Sequence, residues 1–88
     1  MDNAHWAPLE ALARMRPDLN ALRDFMFMGH ASARTGTLIC LYKHADTRRY
    51  LNLDHAGHAY AYDGRGDNGQ AAYVPMPDLA SAIAHAYS

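Results

Sequence analysis

The sequence is poor in the residues on which several common classes of protein depend. It holds 1 cysteine, Cys40, among 88 residues, which excludes an intrachain disulfide and a cysteine-rich zinc site. Its longest apolar run, residues 38–42, is far shorter than the roughly 20 residues that a membrane-spanning helix needs. Lysine and arginine do not occur after Arg65 and the formal net charge is −1, so the strong basic character of most nucleic-acid-binding domains is missing.

Large aliphatic side chains are also scarce. Half of the residues are hydrophobic, but 17 of these are alanine and only 14 are Leu, Ile, Val or Phe. The 5 methionines, 6 tyrosines and 1 tryptophan supply apolar bulk, and with the low net charge they favour a single folded domain over residues 1–88. Because the first residues contain no basic region followed by an apolar run, the sequence predicts no secretory signal and a cytoplasmic protein.

Helical periodicity occurs at both ends of the chain. Residues 8–15 are predicted to form a short helix, with proline in its first turn. A second helix is predicted over about 18–28, where Gly29 takes the position of a C-terminal glycine. A third is predicted from residues 77–78 to the end of the chain.

Between these helices the hydrophobic pattern changes to a period of two. The segments 37–43, 49–54 and 58–62 alternate and are separated by turn residues, so each is predicted to be a strand. Residues 70–76 are a candidate fourth strand, which Pro75 would confine to a sheet edge. The predicted fold is α+β: two N-terminal helices, a three- to four-stranded antiparallel meander and one C-terminal helix.

The register of the strands decides which side chains share a face. An Asp-x-x-Gly turn at residues 54–57 sets Asp54 opposite His58. Grouping the aliphatic residues on one face places Leu41 opposite Leu51, and Leu51 opposite Ala61 on the next strand. The reverse face then carries Tyr42, Tyr50, Asn52, Tyr60 and Tyr62.

This tyrosine face is the surface with the composition of an interface. Tyrosine is enriched at interfaces because its ring is large, rigid and amphipathic. The sequence therefore predicts a non-enzymatic regulator or inhibitor that needs no cofactor and binds a protein partner or a second copy of itself. The predicted contact residues are Tyr42, Tyr50, Asn52, Tyr60, Tyr62, Lys43, Arg48 and Arg49. Small chains of this kind resemble phage-borne inhibitors, such as anti-CRISPR proteins, in size and character. Alternatively, the first helix covers the tyrosines.

Nucleic acid is the second candidate partner. Lys43, Arg48 and Arg49 crowd the tip of the first hairpin beside the tyrosines, a pattern typical of single-strand-binding platforms. The order helix, three strands, helix over residues 18–88 also resembles the double-stranded RNA-binding domain. The last helix, however, has no basic residue with which to contact phosphates.

Metal binding is a third candidate function, and catalysis is not predicted. His55 and His58 flank a turn, and with His30 at the same end of the sheet they are possible zinc or nickel ligands. A Cys40–His44 catalytic pair is disfavoured because four residues of strand separate the two by about 13 Å. The glycine-rich residues 63–69 lack a phosphate-loop ending and are predicted to form a mobile loop.

Overall fold

The computed structural model describes residues 4–33, 35–64 and 72–88, which form an α+β domain with a five-stranded antiparallel sheet. The strands follow one another in the order β1-β2-β3-β4-β5, as in a meander. The elements are a 3-10 turn (Ala4–Trp6), α1 (Ala7–Met15), α2 (Ala21–Asp24), β1 (Phe25–Ser32), β2 (Leu38–His44), β3 (Tyr50–Leu53), β4 (Ala59–Asp63), β5 (Ala72–Pro75) and α3 (Leu79–Tyr87). The α+β class and the antiparallel sheet are confirmed, with more strands than predicted.

The helices at the two ends form where the sequence provides starting signals. Pro8 stands in the first turn of α1, and Leu9 and Leu12 form its buried face. The side chain of Asp78 accepts a hydrogen bond from the backbone N–H of Ser81 and so caps the N-terminus of α3. The inner face of α3 is narrow, because its buried side chains are Ala82, Ile83 and Ala86.

The predicted second helix is wrong over most of its length. Only Ala21–Asp24 is helical, and the chain then continues as β1. Phe25 is buried while Met26 and Met28 are exposed, so a period of two prevails over the helical spacing once β2 offers a partner strand. Gly29, with φ +122°, lies at a β-bulge in β1 and does not cap a helix.

The predicted register between β2 and β3 is wrong by one residue. Tyr42, not Leu41, lies opposite Leu51, and Leu41 lies opposite Asn52. The hairpin closes with a bond from the N–H of His44 to the carbonyl of Arg49. A one-residue shift moves every side chain of a strand to the other face. The two faces of β2 are therefore exchanged relative to the prediction.

The main core lies between the helices and one face of the sheet. Tyr42 is fully buried there, and its hydroxyl donates to the carbonyl of His5 at 2.7 Å. Trp6 packs on the same face, with its ring 5.9 Å from that of Tyr42. The sheet side chains of this core are Phe25, Cys40, Tyr42, Leu51, Leu53 and Ala59. The first helix and the last helix therefore cover the same face.

Two local predictions are confirmed and one lies partly outside the described residues. The N–H of Asp54 donates to the carbonyl of His58 at 3.0 Å, as the predicted turn requires. Pro75 lies on β5, an edge strand, opposite Tyr60. The glycine-rich stretch begins at Asp63, the last residue of β4, and from residue 65 onward falls outside the described part of the chain.

Candidate functional site

The face of the sheet opposite the helices is the candidate site and is called the open face below. Within the described ranges, α1, α2 and α3 all pack on the other side. The open face carries Leu41, Lys43, Tyr50, Asn52, Tyr60, Tyr62 and Tyr73, as the strand pairings require. Four of the six tyrosines of the chain therefore share this face.

The two ends of the open face differ: one is filled by packed side chains and is called the closed end, and the other contains a groove. At the closed end, Tyr60 packs with Ile39 and Ala33 in a second small core. At the other end lies a groove of about 730 Å³. Its lining includes Arg48, Arg49, Tyr50, Asn52, Tyr62 and Tyr73. This is the size of pockets that hold small ligands or a few side chains of a partner.

Tyr50 and Tyr62 present the most ring surface in this groove. Tyr62 is 60% exposed and Tyr50 is 40% exposed. The Tyr62 ring meets that of Tyr73 edge-on, at 5.4 Å between centroids, across the β4–β5 pair. Burial and the neighbouring tyrosines raise the pKa of Tyr73 above its usual value.

Asn52 lies at the inner end of the groove with one polar atom unused. It is 3% exposed, and its Nδ2 donates to the carbonyl of Tyr60 at 3.2 Å. Its Oδ1 is buried and has no hydrogen-bond partner among the described residues. Leaving such an acceptor unpaired costs about 1–3 kcal/mol.

A buried carboxylate fixes the position of Tyr60. Asp54 Oδ1 accepts from the N–H groups of Ala56 and His58, and its Oδ2 accepts from the Tyr60 hydroxyl at 2.8 Å. Burial raises the pKa of Asp54, but these hydrogen bonds together outweigh it and hold the pKa below its usual value. The same bond, with burial, raises the pKa of Tyr60. Asp54 is thus an ionised anchor for the closed end.

The cations of the site gather at the β2–β3 hairpin. Lys43 Nζ lies 5.9 Å above the Tyr50 ring, within cation–π range. Arg49 Nε donates to the carbonyl of Ser88 at 3.4 Å, and Arg48 is exposed. None of the described residues that line the groove is acidic, so the arginines Arg48 and Arg49 face no carboxylate within its described lining.

Arg48 adopts a left-handed backbone conformation, with φ +66°. It is the last loop residue of the hairpin, where its N–H donates to the carbonyl of His44. Glycine or asparagine usually takes such a position, because the Cβ of other residues is crowded there. An arginine that tolerates this strain beside a groove is consistent with a use for its side chain.

We expect Arg48→Gly to raise the free energy of unfolding by about 0.5–1 kcal/mol, because glycine relieves the strain. Arg48→Asn should stabilise for the same reason. Arg48→Ala removes the same charge but keeps the strained backbone, so it serves as the matched control and should not stabilise. Urea denaturation measures all three. Equal stability of the glycine and alanine variants would contradict the strained conformation.

The structure brings most, but not all, of the predicted contact residues together. Tyr50, Asn52, Tyr60 and Tyr62 share the open face with Lys43. Arg48 and Arg49 line the adjoining groove. Tyr42 does not join them, because it is buried beneath the helices. Leu41, which the sequence analysis placed on the same face as Leu51, lies instead on the open face.

The histidine and cysteine candidates lie apart. Among the described residues, no group of three His, Cys, Asp or Glu side chains could hold a metal ion. His58 Nδ1 contacts Asp54, and His55 Nε2 contacts the carbonyl of Ala4. His30 packs against the Phe27 ring. Cys40 is fully buried, and burial raises the pKa of its thiol.

Two hydrogen bonds of the site were not predicted from the sequence. The hydrogen bond from Tyr60 to Asp54 could have been suspected from the turn, since the two residues project on the same side. The Asn52 bond to the carbonyl of Tyr60 could not, because it depends on how the backbone bends.

The described helices include none that is long and apolar enough to cross a membrane.

Comparison of the chain with family models, curated proteins and solved structures finds no significant match.

Proposed function

We propose that this chain is a non-enzymatic regulator or inhibitor that binds an acidic protein partner through the groove of its open face. The composition of the groove supports this most directly. It combines the exposed rings of Tyr50 and Tyr62 with Arg48 and Arg49, and no carboxylate is found among its described lining residues. Tyrosine and arginine are enriched among the residues that dominate the energy of protein interfaces.

The energetics favour a partner that covers the groove. Burying the exposed parts of Tyr50 and Tyr62 contributes a few kcal/mol, at about 25 cal/mol per Å² of apolar surface. Neither ring loses much conformational freedom, since tyrosine has only two side-chain torsions. An acidic partner surface would pair with Arg48 and Arg49, and this charge complementarity would select among partners and speed association.

Single-stranded nucleic acid is the alternative occupant, and Lys43 above the Tyr50 ring is the observation that favours it. Two observations weigh against it. Tyr60 is 9% exposed and so cannot stack on a base. The formal net charge of the chain is −1, whereas nonspecific binding to phosphates needs a strongly basic surface. The protein partner is therefore the better-supported proposal.

Tyr62→Ala is expected to abolish or strongly weaken partner binding while the protein stays folded. The ring is 60% exposed, so its loss should cost less than about 1 kcal/mol of stability. At the centre of an interface, the same loss should lower affinity at least about tenfold. The measurement is quantitative capture from an extract of the source cells, followed by calorimetric titration of the captured protein after purification.

Met15→Ala is the matched control, because Met15 is 66% exposed but lies on α1, on the other side of the sheet. The proposal requires a protein whose capture survives Met15→Ala and is lost with Tyr62→Ala. A protein captured equally by both variants would contradict it. So would capture of nucleic acid alone with an affinity that falls steeply with salt, or a stable dimer in light scattering that Tyr62→Ala dissolves.

A further inference from the structure

The ladder between β3 and β4 is shorter than the strands themselves. It ends at the pair of Asn52 and Tyr60, although β3 extends back to Tyr50 and β4 runs on to Asp63. Beyond that point, within the described ranges, β4 pairs only with β5 and β3 only with β2. Tyr50 of β3 and Tyr62 of β4, which lie beyond the paired residues, both line the groove of the open face, and the unpaired stretch between the two strands is called the split.

Main-chain hydrogen-bonding groups face this split. The β3–β4 turn closes with a bond from the N–H of Asp54 to the carbonyl of His58. In an antiparallel pair, every second residue directs its N–H and C=O groups toward the neighbouring strand. Counting along each strand in steps of two, these residues include Tyr50 on β3 and Tyr62 on β4. Since the ladder ends before them, their donors and acceptors face the split and have no strand partner among the residues that the structure describes.

Further polar groups lie at the two ends of the split. At its inner end is Oδ1 of Asn52, the buried acceptor for which the described part of the chain provides no donor. At its outer end are Arg48 and Arg49, which also line the groove. A ligand that matches the split must therefore offer both hydrogen-bond donors and acceptors along its length and carry negative charge at one end.

We infer that the split is the binding site for an extended, acidic segment of the partner's chain, an inference that rests on the proposed function. The main chain of that segment pairs with Tyr50 and Tyr62, because an extended peptide presents N–H and C=O groups at the spacing of a strand. An acidic side chain of the segment meets Arg48 or Arg49. The tyrosine rings cover it from the open face.

The two edge strands of the sheet, β1 and β5, are less suited to bind such a segment. β1 carries a bulge between Phe27 and Gly29, which interrupts the regular row of edge hydrogen bonds. β5 is four residues long and ends in Pro75, which has no N–H to offer. The split, by contrast, is flanked by a strand on each side and ends in the arginine pair.

The split itself can be tested in the free protein by amide hydrogen exchange. Because their amides lack a strand partner, Tyr50 and Tyr62 are expected to exchange at least about 100-fold faster than Asn52 and Tyr60, which belong to the ladder. Equal protection of all four amides would mean that the strands pair along their whole length, and it would overturn the inference without touching the proposed function.

Occupancy can be tested with a blocked hexapeptide that alternates glutamate and valine, added to the isotope-labelled full chain. The amide signals of Tyr50 and Tyr62 are expected to shift most. The double variant Arg48→Ala/Arg49→Ala should weaken binding at least about tenfold, because charge-assisted hydrogen bonds are lost. A peptide with lysine in place of glutamate should not bind, and one with N-methylated valines should bind at least about tenfold more weakly.

Several outcomes would overturn the inference. Shifts confined to β1 or β5 would place the peptide at a sheet edge, and unaltered binding of the N-methylated peptide would remove main-chain pairing. If a thymidine oligonucleotide gave the same shifts and the acidic peptide none, the occupant would be nucleic acid. Failure of the peptide while Tyr62→Ala still abolished capture of a protein would retain the proposed function and discard the split as its seat.

Discussion

Replacing Tyr42 by alanine is expected to lower the free energy of unfolding by about 3–5 kcal/mol, the range for deleting a large aromatic side chain from a core. Tyr42 is fully buried against Leu9, Leu12 and the Trp6 ring. Its hydroxyl also holds the carbonyl of His5 at 2.7 Å, so the substitution releases the N-terminal turn as well as opening a cavity. Chemical denaturation followed by circular dichroism measures the change.

Tyr42→Phe provides the control, because total stabilities of domains are only about 5–15 kcal/mol and the alanine variant is at risk of unfolding. Phenylalanine keeps the packing and removes the bond to His5, so the expected cost is about 1 kcal/mol. If Tyr42→Ala cost less than about 0.5 kcal/mol, as at an exposed site, Tyr42 would lie on the open face and the register of β2 found here would be wrong.

That register could not be obtained from the alternation of β2 alone, because both of its faces are apolar. Placing Leu41 opposite Leu51 requires a three-residue loop closed by His44 and Arg48. The hairpin instead closes between His44 and Arg49, which lengthens the loop by one residue. His44 Nδ1 accepts the N–H groups of two loop residues and stabilises this longer turn. Position 48 is an arginine and not the glycine or asparagine that would have indicated this four-residue loop in the sequence.

The second hairpin shows the opposite case. Asp54 and Gly57 specify a turn whose length fixes the register, so the positions of Asn52 and Tyr60 on one face follow from the sequence. Most of the open face could therefore be predicted even though the neighbouring strand was misplaced. The split could not be predicted, since it depends on the residue of β4 at which pairing with β3 stops while pairing with β5 continues. A sequence reveals alternation, but not the residue at which a ladder ends.

The ambiguity of residues 18–28 has a different origin. Leu19, Leu22 and Phe25 follow helical spacing, and Phe25 and Phe27 equally follow strand spacing. Short apolar runs carry both signals, and the choice between them depends on the partner that tertiary structure supplies. Here β2 supplies it, and the helix is reduced to Ala21–Asp24.

Asp54→Ala is expected to destabilise the fold by about 2–4 kcal/mol, because it leaves one buried hydroxyl and two part-buried N–H groups without their acceptor. The carboxylate accepts from the N–H groups of Ala56 and His58 and from the Tyr60 hydroxyl, and the residue is 4% exposed. Loss of this anchor should free the Tyr60 ring and disturb the closed end of the open face. Chemical denaturation measures the stability, and Tyr60 ring signals in NMR report the second effect.

The pH dependence separates the charge of Asp54 from its geometry. The folded pKa of Asp54 lies below its usual value, so its ionised form stabilises the fold. This contribution is fully present above the pKa of an unfolded aspartate, about 3.9, and is lost as the pH falls through the lower folded pKa. Asp54→Asn keeps acceptors for the turn but cannot ionise. The difference in stability between wild type and Asp54→Asn should therefore shrink as the pH falls below about 4. A difference that did not change with acidity would mean that hydrogen-bond geometry, and not the charge of the carboxylate, anchors Tyr60.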